Sequence, residues 1–159
     1  MSEIDRGPSR RAMLILLTSV AGLPMLVMPA TAEPLITVHK DPTCSCCTGW
    51  VRHLQRNGFA ATVIETSNLD PVKTRLGVPD ELAACHTAET EGYAIEGHVP
   101  AGAIRRLLAE KPKATGLAVP GMPVGSPGME GGEPETYDVI LFGQGLRRNY
   151  MRFKGDVEL

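Results

Sequence analysis

The stretch Asp41-Pro42-Thr43-Cys44-Ser45-Cys46-Cys47-Thr48-Gly49-Trp50 constrains this chain more than any other part of it. Three of the four cysteines fall within four positions. A strand-like run, Leu35-Ile36-Thr37-Val38-His39, precedes them, and a helix-like run, Trp50 to Asn57, follows. If a helix spans Cys46 to Asn57, then Cys47, Trp50, Val51 and Leu54 follow the i, i+3, i+4, i+7 rule and share its inner face. Asn57-Gly58 is a suitable stop, because both residues tolerate the left-handed conformation that closes a helix. Cys44 then lies at or just before the helix start, where unpaired N–H groups and the positive dipole end favour a thiolate. Cys44 and Cys47 form a C-x-x-C pair, and Cys46 adds a thiol that a dithiol enzyme does not need. Three sulfurs this close can bridge metal ions. Thiolate-rich sites favour Cu(I), with Zn(II) as the usual competitor, and the spacing alone does not choose between them.

With 159 residues the chain holds one domain and at most a leader. A charged start ending in Arg10-Arg11 is followed by an apolar run from Ala12 to Met28, then by Ala30-Thr31-Ala32. That pattern reads as a secretory signal over 1–32 cleaved after Ala32, with 33–159 as the folded domain. Ser9-Arg10-Arg11 also suits twin-arginine export, at even standing with the general route. The apolar run is shorter than the roughly 20 residues a spanning helix needs and contains Pro24, so no stable membrane anchor is expected. The destination is then the periplasm. The formal net charge is −2 with no basic run, which leaves no nucleic-acid footprint. Export to an oxidising space argues for disulfides. Cys46 and Cys47, being adjacent, could pair only with strain, so the crowd makes a poor staple and a good ligand set.

In chain order, Leu35–Val38 reads as a strand, Cys46–Asn57 as a helix, and Phe59–Glu65 as a second strand, parallel to the first through the helical crossover. Asn68–Leu76 reads as a short helix with Asn68 as its cap, and Pro79–Ala84 as a helical turn delivering Cys85-His86. Cys85 to Pro100 is expected as short strands or extended loop around Gly92. Ala101–Glu110 is expected as a helix with Ile104, Leu107 and Leu108 inward. The Gly/Pro-dense stretch Gly116–Pro134 is long enough to be functional rather than idle. After it, Tyr137–Phe142 and Arg147–Phe153 form an antiparallel hairpin about Gly143-Gln144-Gly145.

The order β-α-β-α, an inserted helical segment and a terminal β-hairpin fits an α/β, thioredoxin-like fold with a mixed sheet and flanking helices. Folds of that kind place a cis-proline opposite the C-x-x-C, and here Pro120 or Pro123 is the candidate. Four ordered motifs carry a closer resemblance: Pro-x-Cys-x-Cys-Cys-x-x-Trp at 42–50, Cys-His-Thr at 85–87, Glu-Gly-His-Val-Pro at 96–100 and Gly-Met-Pro-x-Gly-Ser-Pro-Gly-Met at 121–129. Together they resemble the CopG-type periplasmic copper-resistance proteins, over roughly Ile36 to Phe153. The resemblance implies a cysteine-bridged Cu(I) cluster with Cys44, Cys46, Cys47 and Cys85 as ligands. It also implies a role in interconverting Cu(I) and Cu(II), with an unidentified electron or copper-transfer partner.

Each residue also has a plainer reading. Cys44 and Cys47 could be an inert disulfide, and Cys85 a small buried hydrophobe. His86 is a ligand, a residue supporting one, or a surface histidine; His98 is a loop histidine bonded to backbone, or a ligand. Met122 and Met129 either close over the cysteines as thioether ligands or fill gaps. His39, next to Lys40, and His53, off the apolar stripe, are set aside as ligands. Trp50 is expected to pack beneath the cysteine turn, and Glu130, Glu133 and Glu135 to be solvated. Two other functions stay open: a thiol–disulfide oxidoreductase using Cys44 and Cys47, and a structural zinc site with or without His86.

Overall fold

The structure, a computed structural model, describes residues 34–159. The export signal read over 1–32 lies outside the described residues. A single sheet in the order β2-β1-β3-β4-β5-β6-β7-β8 organises the rest. Its first half is β1 (Leu35–Lys40), α1 (Ser45–Arg56), β2 (Ala60–Glu65), α2 (Asp70–Leu76), a 3-10 turn (Asp80–Leu82), β3 (His86–Thr90) and β4 (Tyr93–Glu96). The second half is α3 (Ala101–Glu110), β5 (Gly116–Ala118), β6 (Thr136–Gly143), β7 (Leu146–Lys154) and β8 (Val157–Glu158). β1 pairs in parallel with β2 across α1, and β4 in parallel with β5 across α3. The other pairings are antiparallel, so the sheet is mixed, as expected.

Strand periodicity divides the core between two faces. Ile95, Leu117 and Leu141 join Trp50, Leu54, Ile104 and Leu107 under α1 and α3. Their strand neighbours Ala94, Ala118 and Phe142 face the other way, onto Val78 and Leu82 of the inserted helical segment. The face predicted for α1 is observed: Cys47, Trp50, Val51 and Leu54 are buried. In α3, Ile104 and Leu107 are buried and Leu108 is half-buried.

The stretch expected as short strands or extended loop around Gly92 is two short strands, β3 and β4, in a tight hairpin, Thr90 pairing with Tyr93 across Glu91-Gly92. Three details differ from the sequence reading. The Gly/Pro stretch opens with a short strand, β5, between β4 and β6. Asn68 is not the α2 cap; its side chain accepts the Asp70 N–H at 3.1 Å one residue outside, and Leu69 occupies the cap. The cis-proline expected at Pro120 or Pro123 is absent, because the described residues contain no cis peptide bond. Val119 N–H instead bonds the Glu96 carbonyl at 3.0 Å, and the chain leaves the sheet at Pro120 to return to the cysteines further on, at Pro127.

His53 also departs from expectation. Although off the apolar stripe, it is buried, and its Nε2 accepts the Ala101 N–H at 3.0 Å. It thereby satisfies the start of α3, whose cap residue Pro100 offers no side-chain bond. That bond needs an unprotonated Nε2. Burial, then the nearby Arg56, hold the imidazole below its ordinary pKa of 6.5; Arg105 acts the same way, while Asp156 and Glu130 oppose it. The unfolded chain therefore binds this proton more readily than the folded one. The stability contributed by neutral His53 is complete above about pH 6.5 and is lost as pH falls below it, at up to about 1.4 kcal/mol per pH unit. Urea midpoints at pH 7.5 and 5.5 should show this slope in the natural chain and a shallower one in His53→Gln.

Candidate metal centre

Cys44 caps α1. Its backbone is extended, and its Sγ accepts the Cys47 N–H at 3.3 Å. Cys46 and Cys47 occupy the first turn, so the three sulfurs surround the positive end of the helix. Cys85, from the turn before β3, completes the group, and the four sulfurs lie within 4.8 Å of one another. Cys46 Sγ is 3.4 Å from Cys44 Sγ and 3.9 Å from Cys85 Sγ. Cys44 and Cys47 are joined as a disulfide, while Cys46 and Cys85 are free thiols. The helix-start activation expected of Cys44 therefore belongs to the reduced form. Cys47 is buried and Cys44 half-buried, so an incoming thiol reaches the disulfide at Cys44.

Two imidazoles adjoin the sulfurs through Cys85. His98 donates from Nδ1 to the Pro127 carbonyl at 2.8 Å, since a carbonyl can only accept. That fixes the tautomer and turns a bare Nε2 towards Cys85 Sγ at 3.2 Å. The backbone-bonded reading of His98 is thus observed, and the same ring leaves a free nitrogen beside the cysteine. His86 presents Nδ1 to the same sulfur at 3.4 Å; its Nε2 is buried without a hydrogen-bond partner among the described residues. The His86 ring lies 4.4 Å from Trp50 and edge-on to His98 at 5.0 Å, which rules out the surface-histidine reading. Burial first, then His98 and Lys73, push the His86 pKa well below 6.5, and burial lowers His98. Both rings are neutral near pH 7, the form that ligates metals.

Burial, then Cys46, push the Cys85 thiol up to about 12. Cys85 is therefore protonated at neutral pH, with the bare Nε2 of His98 at 3.2 Å as an acceptor for its S–H. A metal ion bound there must displace that proton. His39, which was set aside as a ligand, has its Nε2 3.1 Å from Glu89 Oε1.

The loop 121–134 rests directly on the cysteine turn. At Gly128, φ is +91°, and a Cβ would meet Cys46 O at 2.5 Å and Trp50 N at 2.7 Å; a Cβ on Gly49 would meet Gly128 Cα at 2.9 Å. Only two facing glycines allow so close an approach. Ser126 stabilises the loop by donating to the Pro123 carbonyl at 2.7 Å, and Met129 N–H bonds the Ser126 carbonyl at 2.7 Å. Met122 is 53% exposed and Met129 half-buried, so their place as ligands is not given by this loop geometry. Glu130, Glu133 and Glu135 are exposed as expected, although Glu130 accepts the Gly128 N–H at 3.0 Å and Glu135 the Val124 N–H at 3.0 Å.

Sequence reasoning missed the residues that hold this arrangement. Glu96 is completely buried, and it binds Lys73, Thr87 and the Ala84 N–H around Cys85. Its position in Glu-Gly-His-Val-Pro was visible; the partner Lys73, on a helix with no buried residue, gave no signal.

Residues 82–129 match the family described as "Protein of unknown function, DUF411". That span contains Cys85, His86, His98 and the loop as far as Met129, but not the cysteine turn. No curated protein matches the chain. Two solved structures do, both titled copper resistance protein CopG. Form 1 is 43% identical, with a TM-score of 0.72, and the match covers 77% of this chain and 100% of that one. Form 2 is 41% identical, also with a TM-score of 0.72, and the match covers 76% of this chain and 98% of that one. Identity of this level over the whole of the matched chain, on a thioredoxin-like mixed sheet with four cysteines converging, places the protein in the CopG family of copper resistance proteins.

Proposed function

We propose that the protein binds Cu(I) through the thiolates of Cys44, Cys46, Cys47 and Cys85, with more than one ion bridged by shared sulfurs. The observation that carries this reading is the meeting of all four cysteines, from segments about forty residues apart, with neighbouring sulfurs 3.4 and 3.9 Å apart. Thiolate donors suit Cu(I), and imidazoles beside them suit copper in either oxidation state. Bound copper would supply one-electron redox chemistry, so interconversion of Cu(I) and Cu(II) is part of the proposal. His86 and His98 are the nearest nitrogen donors, with Met122 and Met129 as candidate thioethers. The leader-like segment 1–32 supports delivery to the periplasm, and among the described residues no helix is long and apolar enough to cross a membrane.

The disulfide makes reduction a precondition. As long as Cys44 and Cys47 are joined, two of the four sulfurs are not thiolates. The prereduced chain, titrated anaerobically against a chromophoric Cu(I) chelator, should strip copper from it, and the oxidised chain should do so at least about 100-fold less well, since supporting contacts alone are worth roughly 10–100-fold. Equal uptake by both forms would contradict the assignment.

The same disulfide favours a second reading, a thiol–disulfide oxidoreductase attacked at Cys44. Turnover of a disulfide substrate that survives in Cys46→Ser and in Cys85→Ser would support it. A structural zinc site would instead leave the reduced chain unfolded without metal.

A further inference from the structure

Resting on the reading of Cys85 as part of the metal centre, we propose that Glu96 and Lys73 are its positioning pair, fixing Cys85 and His86 in place without touching the metal. Glu96, at the end of β4, has no exposed surface. Its Oε1 accepts the Ala84 N–H at 2.6 Å and the Lys73 ammonium, and its Oε2 accepts the Thr87 hydroxyl at 2.7 Å. Lys73 reaches in from α2 and donates also to the Ala84 carbonyl at 3.0 Å and to Thr87 Oγ1 at 2.9 Å. Ala84 and Thr87 are thus gripped from both partners, and the only residues between them are Cys85 and His86.

The next two residues of the same strand end hold the same tetrapeptide. Gly97 N–H bonds the His86 carbonyl at 3.1 Å. With φ at +71°, Gly97 packs so closely that a Cβ would lie 2.8 Å from Ala84 Cβ. His98 then reaches Cys85 Sγ. Glu96-Gly97-His98 acts as one clamp, by carboxylate, by bare backbone and by imidazole. Stability does not account for the ion pair, because a buried pair is often replaceable by apolar residues without loss. Apolar residues cannot supply direction, and here every bond of the pair falls on an atom flanking Cys85-His86.

The test uses the full chain and four variants: Lys73→Met, the double variant Lys73→Met with Glu96→Leu, Thr87→Val and Thr87→Ser. In the oxidised protein, iodoacetamide labelling of Cys85 is measured relative to Cys46 by peptide mass, alongside thermal unfolding and Cu(I) bound after reduction. The folded double variant should raise the Cys85-to-Cys46 labelling ratio roughly tenfold, the change expected when local restraint of about one hydrogen bond is lost. Copper per chain should fall with it. Thr87→Val should raise the ratio in the same direction, and Thr87→Ser, which keeps the hydroxyl, should restore it. An unchanged ratio in folded variants, or a lower Tm with no change in ratio, overturns the proposal. If the double variant does not fold, the Thr87 pair decides. A natural chain that binds no copper defeats the metal reading of Cys85, whereas the labelling ratio still decides whether the clamp positions it.

Discussion

Replacing Cys46 by serine is expected to remove most of the copper the reduced chain holds while leaving the Cys44–Cys47 disulfide able to form. Cys46 is the sulfur between the others, 3.4 Å from Cys44 and 3.9 Å from Cys85. Losing it separates the helix-turn sulfurs from Cys85. Supporting residues around metal ligands are worth roughly 10–100-fold in affinity, and loss of a bridging ligand should exceed that. The disulfide connects Cys44 to Cys47 and does not involve Cys46. Competition with a Cu(I) chelator should show the drop, and thiol counting of the oxidised variant should find one free thiol where the natural chain has two. Unchanged copper affinity in Cys46→Ser would remove the bridging role.

Gly128→Ala is expected to cost much stability for a single methyl added. The new methyl would sit 2.5 Å from Cys46 O and 2.7 Å from Trp50 N, two atoms joined as carbonyl and N–H four residues apart in the first turns of α1. The residue would also be held at φ +91°, which L side chains rarely adopt. Overpacking and backbone strain each cost about 1–3 kcal/mol, so a loss of about 2–4 kcal/mol in urea unfolding is expected. Relief of the clash lifts the loop from the cysteine turn and takes the Pro127 carbonyl from His98, so the His98 tautomer should cease to be fixed in the 15N spectrum. Gly102→Ala, in α3 with open space around it, serves as the opposite control and should stabilise by about 0.5–1 kcal/mol.

Local patterns carried much of the fold. The 3.6-residue spacing of Cys47, Trp50, Val51 and Leu54 predicted the buried face of α1, and the apolar pattern of 101–110 predicted α3 to the residue. The β6–β7 hairpin followed from the strongest strand run and its Gly-Gln-Gly turn. What resisted was anything set by partners distant in sequence. β5 is three residues long and is a strand only because β4 and β6 lie on either side of it. His53 looked solvent-facing from helix periodicity, and only the arrival of α3 makes it a buried acceptor. At the site, the cysteines were legible because their chemistry and crowding are local. Lys73 was not, because a lysine on a short polar helix looks the same whether it points to water or to a buried carboxylate. The Gly/Pro stretch was expected to approach the cysteines through a cis-proline at Pro120 or Pro123, and no such bond is present among the described residues. The contact is made by Pro127 and Gly128.

Four converging thiols should take up Cu(I) in preference to Zn(II). The most direct measurement is the metal content of the reduced chain after anaerobic exposure to equal amounts of the two ions, followed by removal of loosely bound metal. More than one copper per chain with little zinc is predicted, because only shared thiolates let four sulfurs hold several ions. A single zinc per chain, or no retained copper, would contradict it.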